Sequence, residues 1–174
     1  IPKDILGVNA IFCNGDDTGE INLIPSGGAD SSRNSYLWDT PDGSGLVADA
    51  QNQTGLTIGT YSVIVTDING CDSLWSFTLT EPPALHTDLI DADSAVCAGT
   101  PTGSINLEVS GGVPDYLYDW VTNPMTIQQP GMEDLVGVYA GFYTVSVTDG
   151  VGCLGTLGFI VEDAPAPTVD LVVL

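Results

Sequence analysis

Basic residues are almost missing from this chain. Its 174 residues include two, Lys3 and Arg33, against 23 Asp and Glu, for a formal charge of −21. Recognition of a phosphate backbone needs clustered Lys and Arg, so nucleic acid is excluded as a partner. Attraction to an anionic membrane surface is lost for the same reason. Histidine occurs once, at His86 in the stretch PPALHTD, where it reads as an exposed linker residue. Without a Cys–His neighbour or a Ser–His–Asp spacing, nucleophilic hydrolysis has no framework, and the chain is not expected to be an enzyme. No C-x-x-C occurs, which removes the usual zinc arrangement. No apolar run approaches the ~18 residues that cross a bilayer as a helix, so membrane insertion is not expected. No window carries helical periodicity. There is also no basic n-region and no initiator Met, and the chain reads as a mature or excised piece.

What is present is written twice. TYSVIVTDINGC, Thr60 to Cys71, returns as FYTVSVTDGVGC, Phe142 to Cys153, with an offset of 82. Upstream, GEINLIPSGG (Gly19–Gly28) matches GSINLEVSGG (Gly103–Gly112), and Tyr36-Leu37-Trp38 matches Tyr118-Asp119-Trp120. Repeats of this length predict two domains, residues 1–83 and 84–165. PAPTVDLVV (Pro165–Val173) matches PALHTDLI (Pro83–Ile90). Residues 166–174 therefore read as the first strand of a following repeat, or as a strand that pairs with another subunit.

The periodicity is two throughout. In YSVIVTD, Tyr61, Val63 and Val65 share one face; in GSINLEVS, Ile105, Leu107 and Val109 do. SGG, PDGSG, DING and DGVG separate the runs, and these are turn sequences. Hydrophobic residues make up 43% of the chain, enough for a core. About seven short strands per copy predict an all-β protein of two tandem immunoglobulin-like β-sandwiches. Trp38 and Trp120 are placed as the buried aromatics. Tyr61 and Tyr143 stand at strand starts after a glycine, as in a tyrosine corner.

Four cysteines lie one near the start and one near the end of each copy. That placement predicts Cys13–Cys71 and Cys97–Cys153, with four free, buried thiols as the alternative. Closing loops of roughly 58 residues would stabilise each copy by about 4 kcal/mol and implies an oxidising, extracytoplasmic setting. Unlike those of antibody domains, these cysteines do not bracket the Trp.

The pattern C-x-G-x-x-x-G-x-I-x-L-x-x-x-G-G, Y-x-W, G-x-Y-x-V-x-V-T-D-x-x-G-C runs from Cys13 to Cys71 and again from Cys97 to Cys153. It resembles the SprB-type repeat of Bacteroidetes gliding-motility adhesins. Copy one departs from it by lacking the proline found at Pro114. The resemblance implies a large secreted, extracellular cell-surface protein, exported by the type IX route and displayed as a filament, with the repeats serving mostly as stalk.

Three functional expectations follow. The first is a non-enzymatic spacer, partnered by neighbouring repeats or by identical subunits in a fibre. Strand exchange through IPKDILGVNAIF and PTVDLVVL is one form of such a fibre. The second is a binding module for surface polysaccharide, with the unmatched aromatics Trp75 and Tyr139 as its candidate contacts. The third concerns ions and glycans. No cofactor is required, but Ca2+ is the ion that Glu81, Asp88, Asp91 and Asp93 would take at the repeat junction, with Glu162, Asp163 and Asp170 as the later equivalents. Asn52-Gln53-Thr54 is an N-glycosylation sequon, and Ser73 and Ser94 sit in D-S-aliphatic triplets suited to O-glycosylation.

Overall fold

The computed structural model describes residues 4–97, 99–123 and 131–165. The chain divides into two compact units, Ile1–Ala84 and Leu85–Leu174. The first contains β1 (Asp4–Asn9), β2 (Gly19–Ile24), β3 (Ser35–Asp39), β4 (Gln53–Leu56), β5 (Gly59–Thr66) and β6 (Asp72–Leu79). The second contains β7 (His86–Asp93), β8 (Gly103–Ser110), β9 (Leu117–Asn123), β10 (Leu135–Val138), β11 (Gly141–Thr148) and β12 (Leu154–Val161).

In the first unit, β1–β2–β4 form one sheet and β3–β5–β6 the other; in the second, β7–β8–β10 and β9–β11–β12 repeat that order. Every pairing between these strands is antiparallel. In immunoglobulin lettering this is A–B–E against C–F–G, the arrangement of the two-layer sandwich. The first strand is taken up by its own unit, with Asp4 opposite Ile24 and Asn9 opposite Glu20. Of the N-terminal segment expected to be available for strand exchange, Asp4–Asn9 is thus paired within its own sheet, while residues 1–3 and 166–174 lie outside the described residues.

The alternation read from sequence becomes the core. Along β5, Tyr61, Val63 and Val65 are buried, and along β11, Tyr143, Val145 and Val147 are. In the first unit they meet Ile21, Leu23 and Leu56 from the opposite sheet, with Trp38 and Phe77 between. The second unit uses Ile105, Leu107 and Trp120 in the same way. Both indoles are satisfied: Trp38 Nε1 donates to the Ala50 carbonyl at 2.7 Å and Trp120 Nε1 to the Met132 carbonyl at 2.8 Å. Buried indole N–H groups need such partners.

The expected seventh strand of the first unit is not formed. Residues 40–52, which contain PDGSG, run as turns from β3 to β4. The fully buried Gln53 holds them, accepting from the Val47 amide and donating to the Val47 carbonyl, both at 2.8 Å. With its polar groups satisfied by a side chain and the Trp38 indole, this segment does not require a ladder partner. Six strands per unit are present among the described residues.

After β1 and β7 the chain crosses to the other sheet. Ile11 N–H reaches the Thr80 carbonyl at 3.4 Å, and Ala95 forms a parallel bridge with Asp163 beyond the end of β12. This crossing fixes where the cysteines fall.

Candidate functional site

The twice-written T-D-x-x-G-C phrase forms the turn of the long hairpin in each unit. In the first, Asp67 accepts from Ala29 N–H at 3.0 Å with one carboxylate oxygen, and from Asn69 and Cys71 N–H at 2.9 Å with the other. In the second, Asp149 accepts from Val113, Val151 and Cys153 N–H at 2.9, 3.0 and 2.8 Å. One carboxylate thereby ties the β5–β6 or β11–β12 hairpin to the Gly-Gly turn across the sandwich. Three charge-assisted bonds of this kind favour the ionised form. The Cys71 and Ala29 amides hold Asp67 below the usual carboxylate range, against some desolvation. For Asp149 burial pushes upward, but the Val113 and Cys153 amides and their neighbours prevail and the shift is also downward.

The Gly-Gly turn must come close for this to work. Gly112 sits at φ +58, and a Cβ there would lie 2.8 Å from Asp149 Oδ2. The sequence placed these glycines in turns, but nothing in composition or alternation shows that an Asp 38 or 36 residues beyond Ala29 or Val113, the residues that follow them, closes on the turn. The available signal was the exact return of the Asp before x-x-Gly-Cys, which reads equally well as a local Asx turn.

The tyrosine corner is present. Tyr143 Oη donates to the Tyr139 carbonyl at 2.7 Å. Tyr61 Oη lies 2.8 Å from the Thr57 carbonyl and 2.9 Å from that of Ser44.

The cysteine pairings expected within each repeat are not formed. Cys71 and Cys97 are exposed free thiols, whereas Cys13 and Cys153 are in the disulfide form. The reason is geometric. Cys13 precedes Asn14 and Gly15, which donate to the Glu81 carboxylate at 2.7 and 2.8 Å just past the end of β6. Cys71 lies in the hairpin before β6 begins, its carbonyl accepting from Asp67 N–H. At ~3.4 Å per residue, the nine residues from Cys71 to Thr80 span about 30 Å. Bridged cysteines need Cα atoms within about 7 Å. The second unit has the same arrangement: Cys97 follows the Ala95 bridge at the far end of β12, and Cys153 precedes β12. Near-equal placement in sequence concealed opposite placement in the fold.

The described residues considered for a metal form no common group. Glu81 serves the Asn14–Gly15 loop. Asp88 and Asp91 are exposed on β7, opposite Glu108 and Asn106, and Asp93 accepts from Ser104 Oγ at 2.9 Å. Among the described residues no three His, Cys, Asp or Glu side chains form a metal-holding group. His86 begins β7, opposite Ser110, rather than lying in a linker.

The glycosylation candidates occupy different settings. Asn52 Oδ1 accepts from Leu23 N–H at 3.0 Å, the role that Asp134 takes toward Leu107 in the second unit. Ser73 Oγ accepts from Trp75 Nε1 at 3.0 Å, and Ser94 is exposed just beyond β7. Trp75 is partly buried against the first core, so much of its ring is spent on packing.

These observations define an all-β chain of two immunoglobulin-like sandwiches whose twice-written polar residues bind their own backbone. The family model described as SprB repeat matches residues 90–125, which run from the end of β7 through β8 and β9. That segment is similar to the SprB repeat. Among curated proteins none matches. Solved structures are similar too, two of them as follows. One comprises three N-terminal domains of the bacteriophage RB49 highly immunogenic outer capsid protein, with 14% identity and a TM-score of 0.48 over 88% of this chain and 55% of that one. The other is Drosophila OTK, extracellular domains 3–5, with 13% identity and a TM-score of 0.41 over 84% of this chain and 56% of that one. The chain spans just over half the length of each.

Proposed function

We propose that this chain is a non-enzymatic structural repeat segment of an extracellular, cell-surface protein, whose sandwiches add length to a stalk that serves adhesion or gliding. The observation that carries the reading is where the repeated polar residues are spent. Asp67 and Asp149 close hairpins, and Tyr61 and Tyr143 close corners. A motif written twice for catalysis or recognition would leave its polar groups without backbone partners. These are taken up by backbone amides and carbonyls, Asp67 included although it borders a small recess. The SprB repeat match supports a surface setting, and modules that contact mainly their neighbours lengthen an array without new design.

Deleting residues 1–165 from the parent surface protein tests this. The expected result is a shorter surface fibre, seen by electron microscopy, with surface display retained. An unchanged fibre length overturns the spacer reading. Should the protein instead lose binding to a surface polysaccharide at unchanged length, and Trp75→Ala reproduce that loss, the segment is a binding module.

A further inference from the structure

Within each unit the two cysteines occupy opposite ends of the sandwich. Cys13 and Cys97 are of one type, in the loop that follows the first strand; Cys71 and Cys153 are of the other, in the long hairpin. Each type occurs once in the disulfide form and once as an exposed thiol. We propose that Cys71 and Cys97 are cross-linking sites for further copies of this module, the hairpin cysteine of one copy bonding to the loop cysteine of another. This rests on the reading of the chain as part of a tandem array.

A second observation points the same way. Cys71 lines a cavity of about 120 Å3 together with Gly27, Gly28, Asn34 and Asp67. Asn34 Oδ1 is buried there without a hydrogen-bond partner, an acceptor left for an incoming donor. The corresponding end of the second unit receives a segment. A Cβ on Gly112 would stand 3.2 Å from Leu85 Cδ1, so the residue just before β7 packs onto the Gly-Gly turn. The hairpin end of the first unit has the same turn with the recess beside its thiol, and the residues preceding β1 lie outside the described residues.

The chemistry is ordinary exchange. The Cys71 thiolate attacks a small-molecule disulfide, forming a mixed disulfide and releasing one thiolate. The Cys97 thiolate of a second copy then attacks the Cys71 sulfur and releases the other. Two S–H bonds are lost and one S–S bond is gained, and the oxidising disulfide is reduced to two thiols.

The test uses the whole 174-residue chain in an oxidised/reduced glutathione buffer. About 0.5 M salt shortens the screening length to a few ångströms and suppresses repulsion between the acidic chains. Non-reducing electrophoresis should show a ladder that collapses on reduction, and unreduced peptide maps should join the Cys71 peptide to the Cys97 peptide. C71S alone and C97S alone should stay monomeric, while their equimolar mixture gives dimer. Both positions are exposed, so serine is accommodated, and circular dichroism of each variant confirms the fold. Dimers from either single variant at the mixture's yield mean indiscriminate oxidation and overturn the proposal. A mixture that stays monomeric overturns it too, and leaves the fibre-length result untouched, so the two failures are distinguishable.

Discussion

A single hydroxyl shows how completely these units use their polar atoms. Tyr143 is buried and its Oη closes the turn between β10 and β11 by donating to the Tyr139 carbonyl. Burial also raises its pKa, so the hydroxyl keeps its proton through the physiological range. Tyr143→Phe keeps the ring but strands that carbonyl, and should cost about 1–3 kcal/mol. Urea unfolding followed by Trp120 fluorescence should show a lower midpoint at unchanged slope. This much was legible in sequence, because a Tyr after a glycine at the start of an alternating strand has one customary use. Gln53 was not. It stands where the second copy has Leu135, and both are fully buried. Sequence gave no reason to bury an amide, because the partners that satisfy it, Val47 and Ala50, belong to an irregular segment whose path only the fold reveals.

At the scale of the element, the hairpin clamps make stability depend on pH. Asp67 and Asp149 have folded pKa values below their ordinary ones. Their contribution is therefore complete above the unfolded value, near 3.9, and is lost as pH falls through the depressed folded values. The variant with both Asp67→Asn and Asp149→Asn should be less stable than wild type at pH 7. The gap should narrow steadily below about pH 4, where the wild-type carboxylates also gain protons. Denaturation midpoints measured from pH 7 to pH 2 check this, and a gap independent of pH would mean that the charge plays no part. Strand assignment was accessible to sequence reading because burial of one sheet face imposes period two directly on composition. The cysteine connectivity was not. It depends on β6 and β12 being eight residues long and carrying each chain from one end of its sandwich to the other.

For the whole molecule, the acidic composition and doubled architecture were evident from counting residues, and the sandwich class from alternation and turn spacing, whereas the A–B–E and C–F–G orders come from the strand pairing. What sequence hid was direction. In the second unit the chain enters at the hairpin end, through Leu85, and leaves at the opposite end, past Asp163. The last contact between the entering and leaving segments is the parallel bridge, where Ala95 N–H meets the Glu162 carbonyl at 3.0 Å and Ala164 N–H meets the Ala95 carbonyl at 2.8 Å. Tension applied at the two termini of such a unit loads these bonds lengthwise and together, rather than peeling them apart one at a time. A pulled module would resist until the whole patch yields. Ala95→Pro removes the first of the two donors. In single-molecule stretching with the disulfide cysteines reduced, it should lower the rupture force of the second unit and leave that of the first unchanged in the same trace. A surface thread tugged by its anchorage would owe its toughness to this short seam more than to the area of its cores.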